Sequence, residues 1–122
     1  MIKGLGIDII EIERIAQALK RQKQFIDRLF TRNEQISSEA GNDMYIATYY
    51  AGRFAAKEAV VKALGTGFRG ITWHDIQVLK DSLGKPYVTL SPEVARRFNN
   101  PQLLITISHS KSTACACAIW QT

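Results

Sequence analysis

The segment from Arg53 to Gly65 reads RFAAKEAVVKALG, and it constrains the fold more than any other part of the chain. Small residues recur at helical spacing and occupy one side of the predicted helix, namely Ala55, Ala56, Ala59, Val60 and Ala63. Side chains of this size allow a helix to lie closely against a sheet. The other side carries Phe54, Glu58 and Lys62 at steps of four. The segment therefore predicts a rigid helix that packs on a sheet and directs an acid and a base to one surface.

Glu58 and Lys62 have two interpretations at this spacing. An exposed Glu-to-Lys pair four residues apart is common in helices and contributes only about 0.3–0.5 kcal/mol. The alternative is a functional pair, and the N-terminal segment bears on it. Residues 2–12 predict a strand in which Asp8 is flanked by isoleucines. A carboxylate in such surroundings is costly to desolvate unless another group pairs with it.

Asp8 and Glu58 together suggest a metal site. Two carboxylates brought together repel each other, which raises the pKa of one of them, and a hard divalent cation removes this repulsion. Mg²⁺ takes one or two protein carboxylates and fills its other positions with water and phosphate oxygens. Histidine and cysteine do not occur at zinc-like spacing, which favours oxygen ligands. Asp8, Glu58 and Lys62 therefore indicate phosphoryl chemistry that depends on Mg²⁺.

The length and composition of the chain limit its organisation. With 122 residues and 46% hydrophobic content, the chain suffices for one cored domain, which we place at residues 1–122. It has no apolar run of the ~20 residues that a membrane crossing needs, and its N-terminus lacks the pattern of a signal peptide. We therefore expect a soluble, cytoplasmic protein, in which Cys115 and Cys117 are reduced packing residues of a buried strand.

The formal net charge of +5 favours an anionic partner. Basic residues crowd the first quarter of the chain, where helical periodicity runs over residues 13–30 with a break near residues 22–24. One stripe combines basic and apolar side chains at steps of three and four: Arg14, Ala18, Arg21, Phe25 and Arg28. The stripe is a candidate docking surface. The alternative is a solvated basic face whose apolar side packs on the core.

The remaining segments complete an α+β pattern. Helices are predicted at residues 31–38, 44–64 and 91–98. The first starts with a capping box in which Glu34 is the cap. The second ends at Gly65. Strands are predicted at residues 70–78, 85–91, 103–107 and 114–120, with polar turns between adjacent pairs. We therefore expect a mainly antiparallel sheet packed against a long helix.

Two loops contain groups that suit a phosphate ligand. Ser108, His109 and Ser110 supply hydroxyl and imidazole groups that can donate to phosphate oxygens. An ordinary polar hairpin turn has a similar composition. Gly65 and Gly67 follow the long helix, where they either end it or allow a diphosphate to approach the backbone.

Four sequence blocks occur in a specific order along the chain. They are GLGIDIIEI at residues 4–12, RFAAKEA with KALGTG at residues 53–59 and 62–67, GKP at residues 84–86, and SHS at residues 108–110. In this order and spacing they closely resemble the bacterial holo-acyl-carrier-protein synthase family, the short single-domain 4'-phosphopantetheinyl transferases. The resemblance spans nearly the whole chain and shows no departure at the expected metal or phosphate positions. It implies the 4'-phosphopantetheinyl transferase fold.

The resemblance also implies an activity and roles for individual residues. Family members transfer the 4'-phosphopantetheine arm of coenzyme A to a serine of apo-acyl carrier protein, giving holo-acyl carrier protein and adenosine 3',5'-bisphosphate. Asp8 and Glu58 match the Mg²⁺ ligands, and Glu58, directly or through a bound water, is the candidate base for the carrier serine. Lys62 would bind the diphosphate and stabilise charge on the departing phosphate, and Gly65 would lie close to the pantetheine phosphate.

Further positions match the family's substrate contacts. Lys85 and Pro86 match a turn beside the adenine, and Ser108, His109 and Ser110 match the loop that holds the nucleotide 3'-phosphate. Four positions of the docking stripe match the surface that meets an acidic helix of the carrier: Arg14, Arg21, Phe25 and Arg28.

The short members of this family are homotrimers with active sites between neighbouring subunits. We therefore expect the nucleotide-binding positions to come from the neighbour of the subunit that supplies Asp8 and Glu58. A monomer would then hold incomplete sites.

Two other functions remain compatible with parts of the sequence. A Mg²⁺-dependent hydrolase of CoA-like diphosphates would use the same carboxylates, and only the docking stripe argues against it. A non-enzymatic nucleic-acid-binding module would use the basic region but would leave Asp8 and Glu58 unexplained. We expect neither a nucleic acid nor a membrane as a partner.

Overall fold

The order of strands and helices follows the α+β pattern that the sequence predicts. The computed structural model describes residues 1–122, in which the strands are β1 (Ile2–Glu11), β2 (Ile76–Lys80), β3 (Pro86–Leu90), β4 (Gln102–His109) and β5 (Thr113–Gln121). The helices are α1 (Ile12–Arg21), α2 (Phe25–Leu29), α3 (Asp43–Leu64) and α4 (Pro92–Arg97). Single turns of 3-10 helix occur at Arg32–Glu34 and Trp73–Asp75. None of the helices combines the length and the apolar character that a bilayer crossing requires.

The five strands form two antiparallel sheets. The first has the order β1-β5-β4, and the second is the hairpin of β2 and β3. Asp8 of β1 lies opposite Ala116 of β5, which in turn lies opposite Ile107 of β4. The long helix α3 packs against all three strands of the first sheet. The predicted architecture, mainly antiparallel strands on a long helix, is confirmed.

The contact between β1 and α3 is unusually close because glycines of the strand face the helix. A Cβ atom on Gly6 would lie 1.9 Å from the carbonyl oxygen of Ala59, and one on Gly4 would lie 1.9 Å from that of Ala63. Any side chain at these two positions would push the strand away from the helix. Because side chains alternate along a strand, Asp8 lies on the same face as Gly6 and is directed towards α3.

The other face of the three-stranded sheet is not covered by a helix. Apolar side chains along it are exposed: Leu5, Ile7, Ile9 and Leu104. Cys115 and Cys117 lie on the same face, because their neighbours Ala114, Ala116 and Ala118 are buried on the helix side. Both thiols are free and half-buried. The expectation that they pack within a fully buried strand is therefore wrong for this face.

The helix break predicted near residues 22–24 is confirmed, since α1 ends at Arg21 and α2 begins at Phe25. The helix predicted at residues 31–38 is wrong beyond its first turn. The capping box of Thr31 and Glu34 is present, but it opens only a 3-10 turn, and Gln35 is already extended. The next backbone N–H, that of Ile36, donates to the hydroxyl of Tyr50 rather than to a preceding turn. This tertiary contact outweighs the local helical preference.

Strand boundaries also differ from the prediction, notably at the start of β2 and the end of β4. The strand expected from residue 70 begins only at Ile76, because the Asp75 carboxylate accepts hydrogen bonds from the backbone and hydroxyl of Thr72 and closes a 3-10 turn. The strand expected to end at residue 107 continues to His109. Ser108 and His109 therefore belong to β4, and their side chains point to opposite faces of the sheet.

Candidate active site

Helix α3 and strand β1 bring a cation and a carboxylate together. The Lys62 Nζ donates to the Asp8 carboxylate oxygen Oδ1 at 3.1 Å and to the carbonyl oxygen of Ile7 at 2.9 Å. Lys62 forms no ion pair with Glu58, one helical turn before it. The interpretation as an exposed Glu-to-Lys pair within the helix is therefore wrong. The two strand acceptors fix the ammonium at the junction of α3 and β1.

Glu58 lies close enough to Asp8 for their charges to interact. Burial, and then the Asp8 carboxylate, raise the pKa of Glu58 above its usual range, whereas Lys62 acts in the opposite direction. The chain contains no cluster of three or more His, Cys, Asp or Glu side chains arranged to hold a metal. Two carboxylates with one ammonium between helix and strand fit Mg²⁺, which needs only one or two protein carboxylates when a phosphate supplies further oxygens.

Helix α3 ends beside this cluster at Gly65. Gly65 has a φ of 81°, in the left-handed region, and its N–H donates to the carbonyl oxygens of Val61 and Lys62. The interpretation of this glycine as a helix stop is confirmed. A Cβ atom at Gly65 would meet no atom within 4 Å, so the backbone is accessible at the end of the helix that carries Lys62.

A groove lies between α1, α2 and α3, and the α3 residue that lines it is Phe54, four positions before Glu58. It has a volume of about 330 Å³, and the residues that line this α1–α2 groove include Arg14, Ala18, Arg21, Gln22, Phe25 and Phe54. Arg14 and Arg21 are exposed at its rim. Phe25 is only 9% exposed and forms part of the floor rather than projecting from the surface. Arg28 is exposed on α2 but does not line the groove.

A larger cavity of about 500 Å³ lies beside the N-terminal half of α3. The residues that define this β3–β4 cavity include Tyr45, Tyr49, Arg53, Lys80, Pro86 and His109. The structure thus places Pro86 and His109, which are distant in sequence, on the walls of the same cavity. Lys85, Ser108 and Ser110 are exposed but do not line it. The Ser110 hydroxyl instead accepts a hydrogen bond from the backbone of Thr113 in the β4–β5 turn.

Sequence reasoning missed Arg53 as a member of this cavity. Its guanidinium carbon lies 3.8 Å from the centroid of the Tyr49 ring, and its Nε–H is buried without a hydrogen-bond partner. A buried N–H of a charged group without an acceptor is costly, and an anion in the cavity would satisfy it. The spacing of four between Tyr49 and Arg53 is a sequence signal that could have identified the pair.

The two groups of residues lie at different edges of the sheet within one chain. Asp8 is on β1 and His109 is on β4, with β5 between them, so the two edges are roughly 10 Å apart at normal strand spacing. Asp8, Glu58 and Lys62 do not line the β3–β4 cavity. One chain therefore carries two separate groups of candidate site residues.

Comparisons with known proteins agree on one family. Residues 4–118 match the model of the 4'-phosphopantetheinyl transferase superfamily. The holo-[acyl-carrier-protein] synthase of Alkaliphilus oremlandii is 56% identical over 122 residues, with 98% of each chain covered. A holo-(acyl-carrier-protein) synthase from Bacillus anthracis, solved in complex with CoA (3',5'-ADP), is 39% identical with a TM-score of 0.83, covering 98% of this chain and 96% of that one. The Helicobacter pylori enzyme in complex with coenzyme A is 34% identical with a TM-score of 0.84, covering 96% and 99%.

Proposed function

Because the chain belongs to the 4'-phosphopantetheinyl transferase superfamily, we propose that Asp8, Glu58 and Lys62 form the centre of its transfer reaction. The reaction moves the 4'-phosphopantetheine arm of coenzyme A to a serine of apo-acyl carrier protein. Its products are holo-acyl carrier protein and adenosine 3',5'-bisphosphate. The observation that carries the residue assignment is the contact of Lys62 with Asp8 at 3.1 Å, beside a Glu58 whose pKa is raised.

Each of the three side chains has a chemical task in this reaction. The serine oxygen bonds to the phosphorus that carries the pantetheine arm, the phosphorus–oxygen bond to adenosine bisphosphate breaks, and the serine proton must leave. Glu58 accepts that proton, and its raised pKa increases its affinity for it. Lys62 stabilises the negative charge that develops on the departing phosphate. Asp8 holds the ammonium in position through their hydrogen bond.

We assign Mg²⁺ to Asp8 and Glu58, since hard carboxylate oxygens at the junction of α3 and β1 suit this ion. Bound there, Mg²⁺ supplies charge neutralisation on the diphosphate. The accessible backbone at Gly65 suits the approach of the pantetheine phosphate, because no side chain blocks it.

The β3–β4 cavity is our candidate for the nucleotide half of coenzyme A. Arg53, Lys80 and His109 surround it with hydrogen-bond donors, and the unpartnered Nε–H of Arg53 needs an acceptor. A 3'-phosphate offers several acceptor oxygens, and Arg binds phosphate strongly. Pro86 provides an apolar surface beside which an adenine can lie.

The α1–α2 groove is our candidate docking site for the carrier protein. Arg14 and Arg21 at its rim suit an acidic helix, and the rings of Phe25 and Phe54 provide an apolar floor. Charges of this kind steer association and fix orientation. The groove adjoins the helix face that carries Glu58, so a carrier bound there would present its serine to that face.

We propose a homotrimer that joins the two half-sites across subunits. The uncovered sheet face exposes 65% of Leu5, 64% of Ile7 and 70% of Ile9. A contiguous apolar face of this kind is typical of a protein interface. Association through it would bury these side chains and bring the β3–β4 cavity of one subunit towards Asp8 and Glu58 of the next. Residues 1–122 would act as one domain in the cytoplasm, where coenzyme A and carrier proteins meet.

One experiment tests the proposed reaction directly. The protein is incubated with coenzyme A, Mg²⁺ and a panel of apo-acyl carrier proteins, and the intact mass of each carrier is followed. Transfer predicts a gain in carrier mass equal to one phosphopantetheine, with release of adenosine 3',5'-bisphosphate. No gain with any carrier would oppose the proposal, and cleavage of coenzyme A without carrier modification would favour hydrolysis.

A further inference from the structure

The structure contains a fully buried ion pair that lies outside the proposed catalytic centre. Lys57 Nζ lies 2.7 Å from Glu34 Oε1, and neither side chain is exposed. The same ammonium donates to the carbonyl oxygen of Leu29 at 2.7 Å and to that of Trp73 at 3.0 Å. One charged group therefore holds three chain segments that are distant in sequence.

The Glu34 carboxylate is also fully satisfied. It accepts a hydrogen bond from the backbone N–H of Thr31 and another from that of Val78, in addition to the one from Lys57. Buried ion pairs are poor devices for stability alone, because the cost of desolvating both charges offsets most of their attraction. A pair with this many defined partners fixes geometry, since each partner constrains where a segment lies.

The two backbone carbonyl partners of the Lys57 ammonium both connect to the α1–α2 groove. Leu29 is the last residue of α2, the helix that places Phe25 in the groove. The Trp73 ring stacks on Phe54, the other aromatic residue of the groove, with centroids 4.9 Å apart and 28° between planes. The two aromatic parts of the groove are thus tied to one ammonium. That ammonium belongs to the residue immediately before Glu58 on α3.

We propose that Lys57 and Glu34 are positioning residues that align the serine of the docked carrier with Glu58. The inference rests on the proposed docking groove. Moving α2 or Trp73 by a fraction of an ångström would leave the groove able to bind, but would displace the carrier serine from the base. The predicted defect therefore lies in the rate of transfer from the bound complex rather than in carrier affinity.

The test compares Lys57→Met with the double variant Glu34→Gln/Lys57→Met, which removes both charges. Binding of coenzyme A measured by calorimetry gives the number of competent sites, and carrier affinity is measured separately. Single-turnover transfer at saturating carrier and coenzyme A is then expressed per competent site. Lys3→Met is the matched control. The Lys57 ammonium lies over the ring of Phe30 and the Lys3 ammonium over that of Trp120, but Lys3 is exposed and far from the groove.

We expect the transfer rate per competent site to fall by at least about tenfold in Lys57→Met, because small misplacements are costly in oriented reactions. Carrier and coenzyme A affinities should stay within about threefold of the unmodified protein, and Lys3→Met should be unaffected. An unchanged rate per site would overturn the proposal, as would a loss of carrier affinity with a normal rate.

Two further results distinguish the positioning role from an error in the docking site and from a role in folding alone. If Arg14→Glu leaves carrier affinity unchanged, the docking groove itself is wrong. If neither Lys57 variant yields a protein that binds coenzyme A, Lys57→Arg is measured in the same way. Failure of all three to fold would show that the pair serves stability and would overturn the positioning role.

Discussion

Lys62 donates a hydrogen bond to Asp8 across the junction of α3 and β1, although Glu58 lies one turn before it on the same helix. This contact places an ammonium directly on one of the two carboxylates that we assign to Mg²⁺. The pairing has a simple cause. The glycines of β1 allow the strand to approach α3 so closely that the Lys62 side chain reaches the backbone of Ile7 as well as the carboxylate.

Replacing Lys62 with Met should impair chemistry far more than stability. The kcat should fall by about 10²–10³, the usual effect of removing one donor to a developing negative charge. The Lys62 side chain is 51% exposed, and pairs of this kind contribute only about 0–1 kcal/mol to stability. Steady-state kinetics and thermal unfolding check both points, with Lys62→Arg as the variant that keeps the charge. A normal kcat with a much lower Tm would contradict the assigned role.

Replacing Glu58 with Gln should abolish activity but increase stability. Burial and the Asp8 carboxylate raise the pKa of Glu58 above its ordinary value of 4.5, so the folded state holds this proton more tightly than the unfolded state. The contribution of Glu58 to the free energy of unfolding therefore falls as pH rises from 4.5 through the folded pKa. The variant should be inactive yet more stable than the original protein at pH 7 in EDTA.

The stability gain of Glu58→Gln should disappear at pH 4 and below, where the carboxyl is protonated in both states of the original protein. Urea unfolding at the two pH values measures the difference. A variant that is less stable than the original protein at pH 7 would mean that attraction to Lys62 dominates at this position.

Gly6→Ala should disturb the fold and the site together. The new methyl group would lie 1.9 Å from the carbonyl oxygen of Ala59, where only backbone movement can relieve the clash. We expect a loss of about 1–3 kcal/mol or more of stability, the usual range for overpacking, and a lower kcat because β1 carries Asp8. Gly52→Ala is the comparison in chemical denaturation, since its methyl group would meet only the Ile107 side chain at 3.0 Å. Equal effects of the two substitutions would argue against a special role for the β1–α3 contact.

Arg14→Glu should weaken the carrier interaction selectively. Arg14 is exposed at the rim of the α1–α2 groove, and reversing a steering charge should raise the KM for carrier by roughly tenfold. The KM for coenzyme A should change by less than about twofold, and the difference should shrink with added salt. Initial rates at several salt concentrations provide the measurement. Parallel changes in both KM values would place Arg14 outside the docking surface.

Local and periodic patterns predicted much of the fold. The alanine spacing of residues 55–63 predicted the buried face of α3, and the break near residues 22–24 separated α1 from α2. Asp8 and Glu58 could be paired before the fold was known because isolated carboxylates in apolar surroundings require a partner. These inferences rely on neighbours along the chain or on simple electrostatics.

Features that depend on distant contacts could not be predicted in this way. Glu34 looked like a helix cap, and its capping hydrogen bond is present, but its carboxylate also pairs with Lys57, 23 positions further along the chain. No local pattern encodes that pair. Arg53 lines a cavity only because β3 and β4 pack beside α3, and that packing is not encoded in the residues around Arg53. The 3-10 turn before β2 likewise follows from the side-chain hydrogen bonds of Asp75.

Two half-sites, one with Asp8 and one with Arg53, are proposed to meet between subunits. Asp8→Ala subunits are denatured, mixed in equal amounts with Arg53→Ala subunits and refolded together, and transfer is compared with that of each variant refolded alone. In a randomly mixed homotrimer, roughly one quarter of the interfaces should combine two intact halves. If the two half-sites meet in this way, activity should recover towards that fraction of the activity of the original protein. Activity no higher than that of the separate variants would contradict it.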